Sequence, residues 1–179
     1  MESQAPPREI LLPAPSLTAL RLALRRETGA VAATHALNAA GFAAGSALFP
    51  ALRKELGGNP SELPAPGFWD GMTRFFHKRG WGRISHQRIH PALGRVSSPD
   101  WAEADPDGGD LHPSCAYSAG LLAGLLSRVA DAPMAAVEVA CRSQGDAECV
   151  FLFGSEKAVQ LLYGRLLDGT PLSEALDQL

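Results

Sequence analysis

The chain has 179 residues, 46% of them hydrophobic, and a formal net charge of −3. That length suits one domain with its own core, and so small a charge gives no footing for nucleic-acid or membrane-surface binding. No apolar run approaches the roughly 18 to 20 residues a membrane span requires, and the N-terminus lacks the basic-then-apolar export pattern, so a cytoplasmic protein is expected.

Residues 1–15 contain Pro6, Pro7, Pro13 and Pro15 around Ile10, Leu11 and Leu12. Proline lacks the amide hydrogen of regular structure, so this stretch reads as a flexible arm whose apolar triplet docks on the domain formed by residues 16–179 or, as the second reading, on a partner. Ser16 is placed to cap a first helix with Leu17, Leu20 and Leu24 on one face, interrupted at Gly29. A second, alanine-rich helix runs from about Ala30 to Leu56 and closes at Gly57-Gly58, with a kink or break at Pro50. Gly41 and Gly45 sit four apart on it, a spacing that lets another backbone approach closely, and Gly120 and Gly124 repeat the pattern later.

A loop over 57–67 leads to a helix from Phe68 to Lys78. It carries Phe68, Trp69, Met72, Phe75 and Phe76, a stripe that reads first as core and second as the wall of a ligand pocket. Residues 80–98 read as two strands joined near Pro91, with Ile84, His86, Arg88 and His90 on one face. A solvated sheet face beside the acidic loop 99–111 is the plain reading, and an anion site the sharper one. A helix follows from Cys115 to Ala130, with Pro113 in its first turn and Ser114 near the cap. After a hairpin, Ser155 caps a helix with Val159, Leu162 and Leu166 on one face, and Thr170-Pro171 opens a short last one. The sum is α+β: helices packed on one side of a small antiparallel β-sheet.

All three cysteines fall between 115 and 149. Val137, Val139, Val150, Phe151 and Phe153 suit strands, and Arg142 to Asp146 suits a turn with Gly145 at positive φ. A turn centred on Gly145 places Cys141 and Cys149 opposite each other. Glu138 precedes Cys141 by three residues and Cys115 opens the preceding helix, so three thiols and a carboxylate are available for a tetrahedral zinc site. Residues three apart on a regular strand face opposite ways, so Glu138 and Cys141 share a site only across a bulge or a strand end. His112 is a rival fourth ligand. Inert core thiols are the bland alternative, and an odd cysteine count argues against a disulfide framework.

The pattern Cys115-Ala-Tyr-Ser-Ala-Gly120, then Glu138-x-x-Cys141, then Gly145-Asp-x-x-Cys149-x-Phe151 resembles the 4-vinyl reductase (4VR) domain. Its members include proteins linked to bacteriochlorophyll synthesis and ligand-sensing modules of phenol- and toluene-responsive bacterial regulators. Their fold is similar to subunits of the TRAPP vesicle-tethering complex and, more remotely, to haem-based nitric-oxide sensors. In the aromatic-sensing members one helix-start Cys, a Glu and two hairpin Cys hold a zinc, and the resemblance carries these roles to Cys115, Glu138, Cys141 and Cys149. Four protein ligands leave no open position, so the zinc it implies is structural. Those members have a Trp before the Pro that Pro99 matches; here that place is Ser98, and Trp101 follows.

Three functions follow as expectations. The first is a stand-alone module binding a small apolar or aromatic molecule in a pocket built from Phe68, Trp69, Met72, Phe76, Trp101 and Tyr117, and signalling to an unknown downstream protein. The second is an accessory factor or reductase of tetrapyrrole metabolism, for which no nicotinamide or flavin motif is visible. The third is a homodimeric interaction subunit that uses the small-residue seams.

Overall fold

The computed structural model describes residues 9–179; residues 1–8 of the expected arm lie outside them. The arm's apolar triplet is not docked: Ile10 is 80% and Leu11 92% exposed. The neighbouring Glu9 instead pairs with Arg79 at 2.8 Å.

Helix α1 (Pro15–Thr28) starts with Ala14 at the cap position and no side-chain cap. Ser16 therefore does not cap it; Pro15 supplies the preset first-turn φ. The leucine face is not a core face either. Leu20 is half exposed, and the side chain that α1 buries is Arg21, 2.9 Å from Asp110. Leu17 and Leu24 are only partly buried, and the Arg21–Asp110 ion pair fastens the helix beside them. Gly29 ends α1 at φ 84° and α2 (Ala30–Leu56) follows, running unbroken through Pro50 to a left-handed Gly57.

Helix α2 lies against α4 (Ala116–Ala130) along the two glycine pairs. A methyl built on Gly41 would overlap the carbonyl of Tyr117, and one on Gly120 that of Asn38; Gly45 and Gly124 are as tightly seated. Both seams are thus used within the chain. Helix α3 (Ala65–Lys78) begins three residues before the aromatic stripe and buries it: Phe68, Met72, Phe75 and Phe76 are core, and Trp69 is half-buried.

The sheet contains β1 (Ser85–His90), β2 (Leu93–Ser98), β3 (Met134–Ala140) and β4 (Cys149–Ser155), in the order β1-β2-β4-β3, with every pairing antiparallel. Alternation along β4 divides the core in two. Phe151 and Phe153 pack with α3, α4 and Val96. Val150 and Leu152 pack with α5 (Glu156–Leu167) and α6 (Leu172–Asp177). The α+β class and the antiparallel sheet are as expected, but the helices are not confined to one side: α3 and α4 form the main layer, and α5 and α6 add a smaller one on the opposite face. Ser155 caps α5, accepting from the Ala158 amide at 3.3 Å.

Candidate functional site

Three elements bring one group of side chains together. The sheet register slips between Glu138 and Ala140, a bulge that turns the end of β3. Cys141 then leaves the strand, a 3₁₀ turn spans Arg142–Gln144, and Gly145 takes φ 96°. Asp146 closes the turn by accepting the Cys141 amide at 2.8 Å. Cys149 opens β4, and Cys115 stands at the cap position of α4. The bulge supplies what a regular strand could not, so Glu138 and Cys141 face the same point.

One ligand atom each from Cys115, Glu138, Cys141 and Cys149 lies within 4.8 Å of all the others. The Cys115 sulfur is 3.7 Å from that of Cys141 and 4.0 Å from that of Cys149. A tetrahedral ion with metal–sulfur bonds of about 2.3 Å would set its sulfurs about 3.8 Å apart. All three cysteines are buried and free. Glu138 Oε2 accepts the Cys115 amide at 2.7 Å, while Oε1 is buried without a hydrogen-bond partner among the described residues. A buried, unpartnered carboxylate oxygen beside three thiols is a donor set suited to a divalent cation. His112 is exposed and outside this group.

The electrostatics point the same way. Cys141 is driven well below the ordinary thiol range because the Cys115 and Cys149 thiols hydrogen-bond to it. Cys115 is pushed up by its hydrogen bonding with the Cys141 and Cys149 sulfurs, and burial adds to the shift. For Cys149, the lowering effect of Cys115 is outweighed by its bond to Cys141 and by burial, and it too is raised. Burial and then the charge on Cys141 lift Glu138 to about 9. Four anionic ligands can coexist there only around a metal ion.

A second buried carboxylate stands next to this group. Glu103 is 3% exposed and accepts the amides of Tyr117 (3.1 Å) and Ser118 (2.7 Å) and the Ser118 hydroxyl. Trp101 Nε1 donates to that hydroxyl at 2.6 Å. Burial raises the Glu103 carboxyl to about 7, against the lowering effect of these donors. The sequence counts Glu103 within the acidic stretch before α4 and gives it no site role; it lies twelve residues upstream of Cys115. The same loop is pinned to the 3₁₀ turn, the Asp105 amide donating to Ser143 Oγ at 2.8 Å and the Asp110 amide to the Ser143 carbonyl at 2.9 Å.

The expected pocket residues form a packed aromatic cluster. Trp101 lies 5.5 Å from Phe76 and from Trp81 and 5.7 Å from Phe151, ring centre to ring centre, and Tyr117 stacks on Trp81 at 6.0 Å. Met72, Phe76 and Trp101 are fully buried. Trp69 joins them through Phe68, edge-on at 4.9 Å, stacks on His86 at 3.8 Å on its other side, and borders an open hollow of about 680 Å³ with Asp70, Thr73, Arg74 and Ser85. Phe68, Met72, Phe76, Trp101 and Tyr117 line neither that hollow nor the two others described, of about 930 and 330 Å³.

Residues 107–155 match the model of the vinyl-4-reductase (4VR) domain family, a segment that runs through α4, β3 and β4 and contains all four converging residues. The resemblance to the 4-vinyl reductase domain is borne out there. Three solved structures share the fold. One is the phenol-responsive sensory domain of the transcription activator PoxR with phenol, at TM-score 0.71 and 21% identity over 83% of this chain and 77% of that one. A vinyl-4-reductase family protein from Methanocaldococcus jannaschii gives 0.52 and 20%, over 82% of each chain. A trafficking protein particle complex subunit 3 from Naegleria fowleri, covalently bound to palmitic acid, gives 0.62 and 12%, over 79% of this chain and 91% of that one. No curated protein matches the sequence.

Proposed function

We propose that this chain is a cytoplasmic small-molecule-binding module, a sensor or carrier, whose fold is fastened by a structural zinc on Cys115, Glu138, Cys141 and Cys149. The observation that carries the zinc is the unpartnered Glu138 Oε1 among three buried thiols at tetrahedral spacing. Bound there, zinc supplies a cross-link between α4 and the β3–β4 turn, with no open position for catalysis. Freshly purified protein is expected to hold about one zinc per chain; well under half that content ends the zinc reading.

The ligand reading is supported by the fold shared with a phenol-responsive sensory domain. Its pocket is the aromatic cluster of Phe68, Trp69, Met72, Phe76, Trp101 and Tyr117, entered from the hollow beside Trp69 and opened by the ligand. Phenol, toluene and a tetrapyrrole, tested one by one, should include at least one that raises Tm. A panel without a shift, or a shift unchanged in Trp69→Ala, defeats this part. The module works as a homodimer that passes its signal to another protein. Because the glycine seams are occupied within the chain, the dimer uses the exposed Leu20, Leu22, Val31 and Phe42 side of α1 and α2. A strictly monomeric species in sedimentation removes that element.

A further inference from the structure

We infer that Glu103 is a positioning residue for the Cys115 thiol: it takes over the capping duty that would otherwise fall to Cys115. The inference rests on the zinc reading above. The first turn of a helix leaves amide hydrogens without intrahelical partners. The side chain at the cap position ordinarily accepts from the second or third helical residue. In α4 that position belongs to Cys115, and its side chain caps nothing. The amides of the second and third residues, Tyr117 and Ser118, are taken by Glu103. The Cys115 amide goes to Glu138. Two carboxylates from outside the helix thus serve its first turn, and the sulfur is left to face Cys141 and Cys149.

Glu103 is itself held for this task. Ser118 donates to it, Trp101 donates to Ser118, and the Ala104 amide closes on the Trp101 carbonyl at 3.2 Å. A carboxylate at this end is also favoured by the helix dipole. Remove it, and two buried amides lose their acceptor. The acceptor within a turn of them is the sulfur of Cys115, drawn away from the cluster.

The test uses cobalt(II) in the full chain, since thiolate-to-cobalt charge-transfer intensity per bound ion counts the sulfurs. Wild type should show three thiolates. Glu103→Ala should fall to two, and its zinc affinity should drop about 10- to 100-fold, the usual cost of losing a supporting partner. Glu103→Gln keeps one acceptor oxygen but sets an amide NH2 against the second helix amide, so its spectrum should fall between those of Glu103→Ala and wild type. Should Glu103→Ala fail to fold, Glu103→Asp, too short to reach both amides, should show the loss at the lower end of that range. A folded Glu103→Ala (or, in its place, Glu103→Asp) with an unchanged spectrum per ion overturns the inference and leaves the zinc reading intact. A wild type that takes up no cobalt or zinc overturns both.

Discussion

The thiol cluster and the aromatic cluster sit at the two ends of the same first turn of α4, and they differ in what they leave unmet. Around Trp101 every face of the ring meets another side chain and its one donor has an acceptor. Around Cys115, three sulfurs and a carboxylate converge with one carboxylate oxygen unpartnered among the described residues. Apolar groups are satisfied by contact alone, so a filled aromatic cluster reads as core. Ligating groups remain deficient until an ion arrives, so their convergence is itself informative.

The sharpest way to break this contrast is Trp101→Ala. The ring is fully buried and anchors Ser118, so stability should fall by about 3–5 kcal/mol in denaturant unfolding, yet zinc content should stay at one per chain. A loss of zinc in that variant would mean the two clusters are one unit. Conversely, stripping the metal with a chelator should destabilise the fold by about 4 kcal/mol when free zinc had stood roughly a thousandfold above its Kd. Scanning calorimetry with zinc returned should recover the original Tm.

Glu103 sits between the clusters and adds a pH signature. Burial lifts its carboxyl from 4.5 to about 7 in the folded chain. A group with a raised folded pKa binds more protons folded than unfolded, so its contribution is full below 4.5 and is lost as pH rises to about 7. Glu103→Gln removes that titration. The stability of the variant relative to wild type should therefore rise by about 3 kcal/mol across that window; a flat difference in denaturant midpoints rejects the buried-carboxyl assignment. The smallest effect is expected at Trp69, half-buried against His86, where Trp69→Ala should cost about 1 kcal/mol in the unliganded chain.

Much of this was legible in the sequence because it is encoded locally. Gly29, Gly57 and Gly145 mark chain reversals by conformational freedom alone, and Phe68 to Phe76 announces a buried helix face by its spacing. The four converging residues were legible through the motif Glu138-x-x-Cys141 with Gly145-Asp-x-x-Cys149. The bulge that makes them converge follows from pairing between strands, which no single strand reveals. Glu103 and Arg21 were missed for a related reason. A charged residue in a loop or on an amphipathic helix looks solvated until its partners arrive from distant segments, here Ser118 for one and Asp110 for the other. Leu20 failed in the opposite sense: a regular stripe faces inward only if another element covers it.

The glycine contact between α2 and α4 has a bearing on the thiol cluster that its location does not advertise. Gly41 rests on the Tyr117 carbonyl, two residues beyond Cys115. With backbone on backbone there is no side chain to flex, so α4 has a fixed depth and a fixed rotation, as a key has in a lock's ward. A long helix that contributes no ligand thereby helps set where one sulfur stands.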